Sequence, residues 1–362
     1  MRLSSLLVAP LLCSFVHVEE TASPQVGAIA PALGNVPWVQ LDEAASGGRE
    51  PEIAALRGKV VVVASYGYYC DSCQRVGIPL VNALRDANRE ELRVIGLTVG
   101  IGDDTPDKIR EEAKKLGITH SVAQCGADGD TTSYVNLGEN LNLTYAFVIT
   151  RTGGVLWKGD PSREREACLD AVRRALNAVP AEPLPESLAP ELAPAVKAYV
   201  EGQFLAVEPA IEAVLKKLGS KATPQTERAR SDAKTLSDLV AETRRKLMED
   251  LERSAGDQKP EQYQRASDLV RRAFPKGECA ERADQLEMFM CIQQPHGPEC
   301  KRWATWLALE AARPPTFPLI KDKESSKYAK ELAKHLKVPD ALGGERIRAW
   351  LSAFDGASER KW

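Results

Sequence analysis

The chain of 362 residues holds only four histidines, and none lies in an H-E-x-x-H pair. That excludes the helical two-histidine zinc site of many metalloproteases. No G-x-x-x-x-G-K-[ST] stretch is present, so the phosphate-cradling loop of nucleotide hydrolases is missing too. Lysine and arginine number 48 against 51 acids, a net charge of -3, and no basic cluster is interleaved with aromatics. A nucleic-acid surface needs the opposite balance. The first apolar stretch, Leu3–Val18, is broken by Ser4, Ser5, Pro10 and Ser14. It falls short of the ~20 apolar residues that span a bilayer. What remains is an ordinary soluble composition, 43% hydrophobic and 27% charged, in a chain long enough for two domains.

A single Arg2 before that apolar stretch reads as an export signal or an N-terminal anchor over residues 1–24. No A-x-A cleavage pattern follows it directly. Leu11 and Leu12 stand where a lipoprotein signal has small residues, which argues against lipid attachment at Cys13. Export places the protein in a periplasmic or cell-envelope compartment, where disulfides persist. Eight cysteines suit that setting; without Cys13 seven remain, so at least one thiol is unpaired within the chain.

Residues 25–58 read as an irregular lead-in. "KVVVVAS" is a β-branched run without alternation, the mark of a strand buried on both faces. A helix follows, with apolar residues at Val76, Leu80, Val81 and Leu84, and then a second buried strand, "LRVIGLTVG". Thr105 and Pro106 open a surface helix that Gly117 stops. "AFVITRTGGVLWKG" reads as a hairpin, and "SREREACLDAVRRALNAV" as a closing amphipathic helix. The order predicts a mixed α/β sheet with helices on its faces over residues 25–178. A proline-rich bridge, 179–194, reads as a semi-rigid linker. Residues 195–362 have helical period throughout, predicting an all-α domain with helices over 195–218, 226–254, 260–274, 278–293, 298–312, 325–336 and 344–353.

"SYGYYCDSCQ" carries the chemistry. Cys70 and Cys73 stand at a strand exit where a helix begins, and a first helical turn presents unpaired N–H groups and partial positive charge. A thiolate there falls below the free value of ~8.5, and the thiolate is the attacking species. Spaced by two residues, the second sulfur can displace what the first captures. Two other readings stand beside this one. A metal site requires a second matched pair, and Cys125 has no Cys or His within two to four residues. A structural staple closing so short a loop constrains the unfolded chain little.

At these residues the chain resembles the thioredoxin superfamily, in particular its exported TlpA/ResA-like thiol–disulfide oxidoreductases. The family's "VGKPAPDF" is similar to "VGAIAPAL", and its "LRGKVVLVNFWATWCPPC" to "LRGKVVVVASYGYYCDSC". "DDTPEKVKAFAKKLGI" is matched by "DDTPDKIREEAKKLGI", and "FLIDRDGRIV" by "FVITRTGGVL". The resemblance covers about residues 25–178 and implies a thioredoxin-like fold. It also implies that Cys70 attacks and Cys73 resolves, with protein disulfides or dithiols as substrates, a membrane or soluble thiol as electron donor, and no cofactor. Tyr66, Tyr68, Tyr69 and Thr144 would shape the surface that accepts the partner. Four departures bear on that expectation. Asp71 and Ser72 replace a proline-containing spacer, and a carboxylate beside Cys70 disfavours its thiolate, which points to a reductase-like pair. Pro79 comes one residue later than the family's helix proline. Ala64 takes the place of the buried acid that assists proton transfer in cytosolic thioredoxins. Thr144 occupies the position of the cis-proline that faces the cysteines. A peroxidase is the nearest sibling reading, though Gly67 stands where its threonine belongs. A reading of another class is a redox-silent scaffold whose helices bind proteins.

The remaining cysteines read as structural. Cys279 and Cys291 lie about 18 Å apart along one predicted helix at 1.5 Å per residue, too far to bond. Cys291 and Cys300 flank a Pro/Gly turn and are the candidate disulfide; the competing readings are free thiols and a Cys/His knuckle with His296. Cys125, Cys168 and His120 read as buried structural side chains.

Overall fold

The computed structural model describes residues 23–42, 48–99, 104–125, 133–135, 144–219, 221–257 and 260–293. Six strands among them form one mixed sheet. They are β1 (Trp38–Gln40), β2 (Val60–Tyr66), β3 (Leu92–Val99), β4 (Ser121–Cys125), β5 (Tyr145–Ile149) and β6 (Val155–Gly159). Their spatial order is β1-β4-β3-β2-β5-β6. β2, β3 and β4 run parallel, while β5, β6 and β1 pair antiparallel with their neighbours. β2 is buried along its whole length, as expected of a central strand.

Three helices belong to this sheet: α1 (Ile78–Ala87), α2 (Pro106–Lys115) and α3 (Arg165–Leu176). All three pack into one core with Val60, Val62 and Ala64. The opposite sheet face, with Val61, Val63, Ile95 and Leu97, is covered by the lead-in residues Ala30, Leu33, Val36 and Ile53. The segment read as irregular is therefore a wall of the core. It also contains β1, and β4 is a second strand that the sequence reading lacks. Both are short and owe their form to their neighbours: β4 pairs with β3 along its whole length, and β1 with β4 through Trp38 opposite Ala123 and Gln40 opposite Val122. Thr105 caps α2 as expected, its hydroxyl accepting from Lys108 N–H at 3.3 Å.

A buried ion pair ties this unit together. Arg85 of α1 donates from Nε and Nη2 to one carboxylate oxygen of Asp42, at 3.1 and 2.8 Å. Both side chains are about nine-tenths buried, with 11% and 10% of their area exposed. Asp42 N–H also donates to Ser121 Oγ at 2.9 Å, so the pair joins the end of β1, the start of β4 and α1.

Beyond residue 190 the described chain is helical: α4 (Ala193–Val200), α5 (Phe204–Leu218), α6 (Pro224–Gly256), α7 (Pro260–Ala273) and α8 (Glu278–Gln293). One helix was expected over 195–218. It is broken between α4 and α5 at Gly202, whose φ of +74° suits glycine alone. The predicted helices over 298–312, 325–336 and 344–353, and the Cys291–Cys300 pairing, lie outside the described residues.

The proline-rich bridge is docked rather than free. Leu184 is fully buried, and its N–H donates to Thr152 O at 2.9 Å. Ala189 N–H reaches Asp232 of α6 at 2.8 Å, and Glu182 pairs with Lys246. The leucines between the prolines enter the helical core, and proline leaves no N–H to satisfy there. Gly154, in the β5–β6 turn, lies against Val200 of α4. β5 opposes β2, with Ile149 beside Val61. The helices thus meet the sheet at the end where β2 begins, opposite to the end from which the cysteines emerge.

Candidate active site

Tyr66 ends β2, and Gly67–Cys70 turn the chain into a helical segment. It opens at Asp71, with Gln74 N–H bonding to Cys70 O at 3.0 Å, and continues as a single π-helical turn, Cys73–Gly77, closed by Ile78 N–H bonding to Cys73 O. A π turn accommodates one residue more than an α turn. That extra residue accounts for the late position of Pro79, whose missing N–H falls directly after the π turn, where the helical ladder is already irregular.

The two sulfurs are unequal. Cys73 is fully buried and Cys70 is partly exposed. Cys70 Sγ accepts from Cys73 N–H at 3.3 Å and lies 3.1 Å from Ser72 Oγ. Partial burial pushes the Cys70 thiol up, but hydrogen bonds from Cys73, Ser72 and Thr144 outweigh it and leave the pKa lowered. The Cys73 N–H is one of the helix-start donors expected there, and the side chains of Cys73, Ser72 and Thr144 add to it. Burial, and then the bond to Cys70, push the Cys73 thiol up to about 12. Asp71, expected to oppose the Cys70 thiolate, is paired with Arg75 at 2.7 Å on the exposed face.

In the reduced protein, iodoacetamide is therefore expected to modify Cys70 first. Its rate should rise with pH through a midpoint below that of an ordinary cysteine, while Cys73 stays slow to high pH. Peptide mass mapping across a pH series reads both. A Cys70 midpoint at or above ~8.5 contradicts the geometry.

Thr144, just before β5, stands beside both cysteines. Its Oγ1 is 2.9 Å from Cys73 Sγ and 3.9 Å from Cys70 Sγ. Its methyl group fits because residue 77 is glycine; a Cβ there would lie 2.6 Å from Thr144 Cγ2. Of the three tyrosines, only Tyr69 reaches solvent, at 46% exposure. Tyr66 and Tyr68 are buried, which corrects the expectation that all three meet a partner. Their place is inside the core, stacked edge to face on each other at 5.9 Å. The alternation of the turn could have shown this, since Tyr66 continues the inward register of Ala64.

The position of the family's buried acid is filled from elsewhere. Ala64 lies opposite Gly96, and a Cβ at Gly96 would come within 2.2 Å of Tyr66 Oη and 2.9 Å of His120 Nε2. Those two atoms are 3.3 Å apart. Desolvation, and then Arg85, hold the His120 pKa down to about 3, so the imidazole is neutral. Cys125 and Cys168 are buried, as expected. Among the described residues no group of three Cys, His, Asp or Glu is spaced to hold a metal ion. No helix among them is long and apolar enough to cross a membrane.

No family model matches the chain, and no curated protein does. Solved structures do match about two-fifths of the chain. A thiol:disulfide interchange protein of the thioredoxin family from Chlorobium tepidum is 19% identical, covering 43% of this chain and 100% of its own, with a TM-score of 0.33. A thiol-disulfide isomerase from Corynebacterium glutamicum is 22% identical, covering 41% and 97%, with a TM-score of 0.33. A secreted disulfide oxidoreductase from Mycobacterium tuberculosis is 13% identical over 38% and 92%, with a TM-score of 0.30. The sheet order, the parallel β2–β3–β4 core, the β5–β6 hairpin and the cysteines after β2 make the first part of the chain a thioredoxin-like fold, followed by a helical region.

Proposed function

We propose that the protein is a thiol–disulfide oxidoreductase acting on protein disulfides through Cys70 and Cys73, with Cys70 as nucleophile and Cys73 as resolving thiol. The observation that carries this is the inequality of the two sulfurs: one accessible and stabilised as thiolate, the other buried and held as thiol. Cys70 attacks a partner disulfide, forming a mixed disulfide and expelling a partner thiolate. Cys73 then attacks Cys70 Sγ, freeing the second partner thiol and closing the Cys70–Cys73 disulfide. Two electrons pass to the partner, and a thiol donor restores the pair.

Tyr69 is the aromatic side chain that a partner can reach, and it offers an apolar contact beside Cys70. Reductase-type flow is the direction expected from the acidic spacer Asp71; the lowered Cys70 pKa works the other way, since it stabilises the reduced pair and makes it the stronger oxidant, and a measured reduction potential decides between them. The apolar N-terminus supports an exported protein, and the sheet-containing part and the helices divide as domains at the bridge. Catalysed reduction of insulin by dithiothreitol tests the activity: turbidity should appear several-fold sooner with the protein present. No acceleration over dithiothreitol alone favours the scaffold reading, in which the helices bind proteins and the cysteines are idle.

A further inference from the structure

We propose that the Thr144 hydroxyl drives the resolving step, by donating a hydrogen bond to the Cys73 sulfur as it becomes the attacking thiolate. The inference rests on the proposed oxidoreductase reading and deepens it. Cys73 has no exposed surface, so water cannot stabilise a charge on its sulfur. Yet Cys73 must lose its proton before it can attack Cys70 Sγ, and the partner thiolate that Cys70 has just expelled is the base at hand to take it up. A buried anion then needs a donor in place, and Thr144 Oγ1 is 2.9 Å away.

Several features of the chain converge on that contact. The π turn shifts Gly77 to face Thr144, and the missing Cβ leaves room for the threonine methyl. With the methyl seated against Gly77, the hydroxyl is turned toward the sulfurs, 1.0 Å nearer to Cys73 than to Cys70 (3.9 against 2.9 Å). Tyr66 and Tyr68 pack in the same core as Cys73 and close it from below. When Cys73 bonds to Cys70, its negative charge disappears and the hydroxyl keeps only a weak sulfur acceptor. The bond is thus strongest while Cys73 is a thiolate, the state that carries the reaction forward.

The aromatic disulfide 5,5′-dithiobis(2-nitrobenzoate) separates the two steps. Attack by Cys70 releases one coloured thiolate, and resolution by Cys73 releases the second. In Thr144→Val, which keeps the methyl and the volume, the first phase should slow by up to ~3-fold, because the longer 3.9 Å contact to Cys70 goes as well. The second should slow by at least ~10-fold, the effect of a lost hydrogen bond to a charged group. Its pH midpoint should also move upward. Thr144→Ser should restore most of the second phase. A valine variant with an unchanged second phase overturns the inference alone. So does a serine variant as slow as valine, since packing and not the hydroxyl then matters. A wild-type first phase no faster than that of an unfolded cysteine peptide defeats the oxidoreductase reading, and this inference with it.

Discussion

Replacing Cys70 by serine is expected to abolish catalysed insulin reduction, a loss of at least about 1,000-fold, since a neutral hydroxyl cannot replace a thiolate as nucleophile. The fold should be unaffected, because Cys70 is partly exposed and the exchange removes no core volume. Cys73→Ala should fail differently. Its Cys70 still attacks, but nothing displaces the captured partner, so turnover stops at a mixed disulfide that non-reducing electrophoresis shows as a slower band. The double replacement should show neither turnover nor adduct. The contrast between the single variants distinguishes nucleophile from resolving thiol. Equal adduct yields from both would mean that the sulfurs are interchangeable, against the unequal burial seen here.

Asp42→Ala should be strongly damaging although it lies away from the cysteines, lowering unfolding free energy by about 3 kcal/mol in urea titrations at neutral pH. The carboxylate accepts two bonds from Arg85 where little water reaches. Its removal leaves a guanidinium charge in the core, partly relieved by Asp86 at 3.2 Å. Most of the loss is the cost of that stranded charge rather than the worth of the pair itself. Combining Asp42→Leu with Arg85→Met should therefore recover most of the stability. A double variant as unstable as Asp42→Ala would mean that the polar geometry joining β1, β4 and α1 is needed for itself.

How much of this was legible in the sequence depends on whether a feature is local. β2 and β3 are apolar runs that announce themselves, and α2 carries its own cap and stop. β1 and β4 were missed because three and five residues of ordinary composition become strands only when a partner lies alongside. The break at Gly202 was hidden inside an unbroken helical period. At the site, the cysteine spacing was readable from the strand that precedes it. The π turn was visible only as a proline one residue out of place. The seat of Thr144 against Gly77 was not visible at all, because it joins residues 67 positions apart through a missing Cβ. Nor does a sequence show that Tyr66 and His120 occupy the space over Ala64 and Gly96, since neither residue is at the aligned position.

The attachment of α4 to the β5–β6 turn has a geometric consequence for any client of this protein. Seven residues of β2 separate that attachment from the cysteine end, a distance of about 20 Å at 3.3 Å per residue. A polypeptide held at that attachment would have to extend about 20 Å before its own sulfur met Cys70.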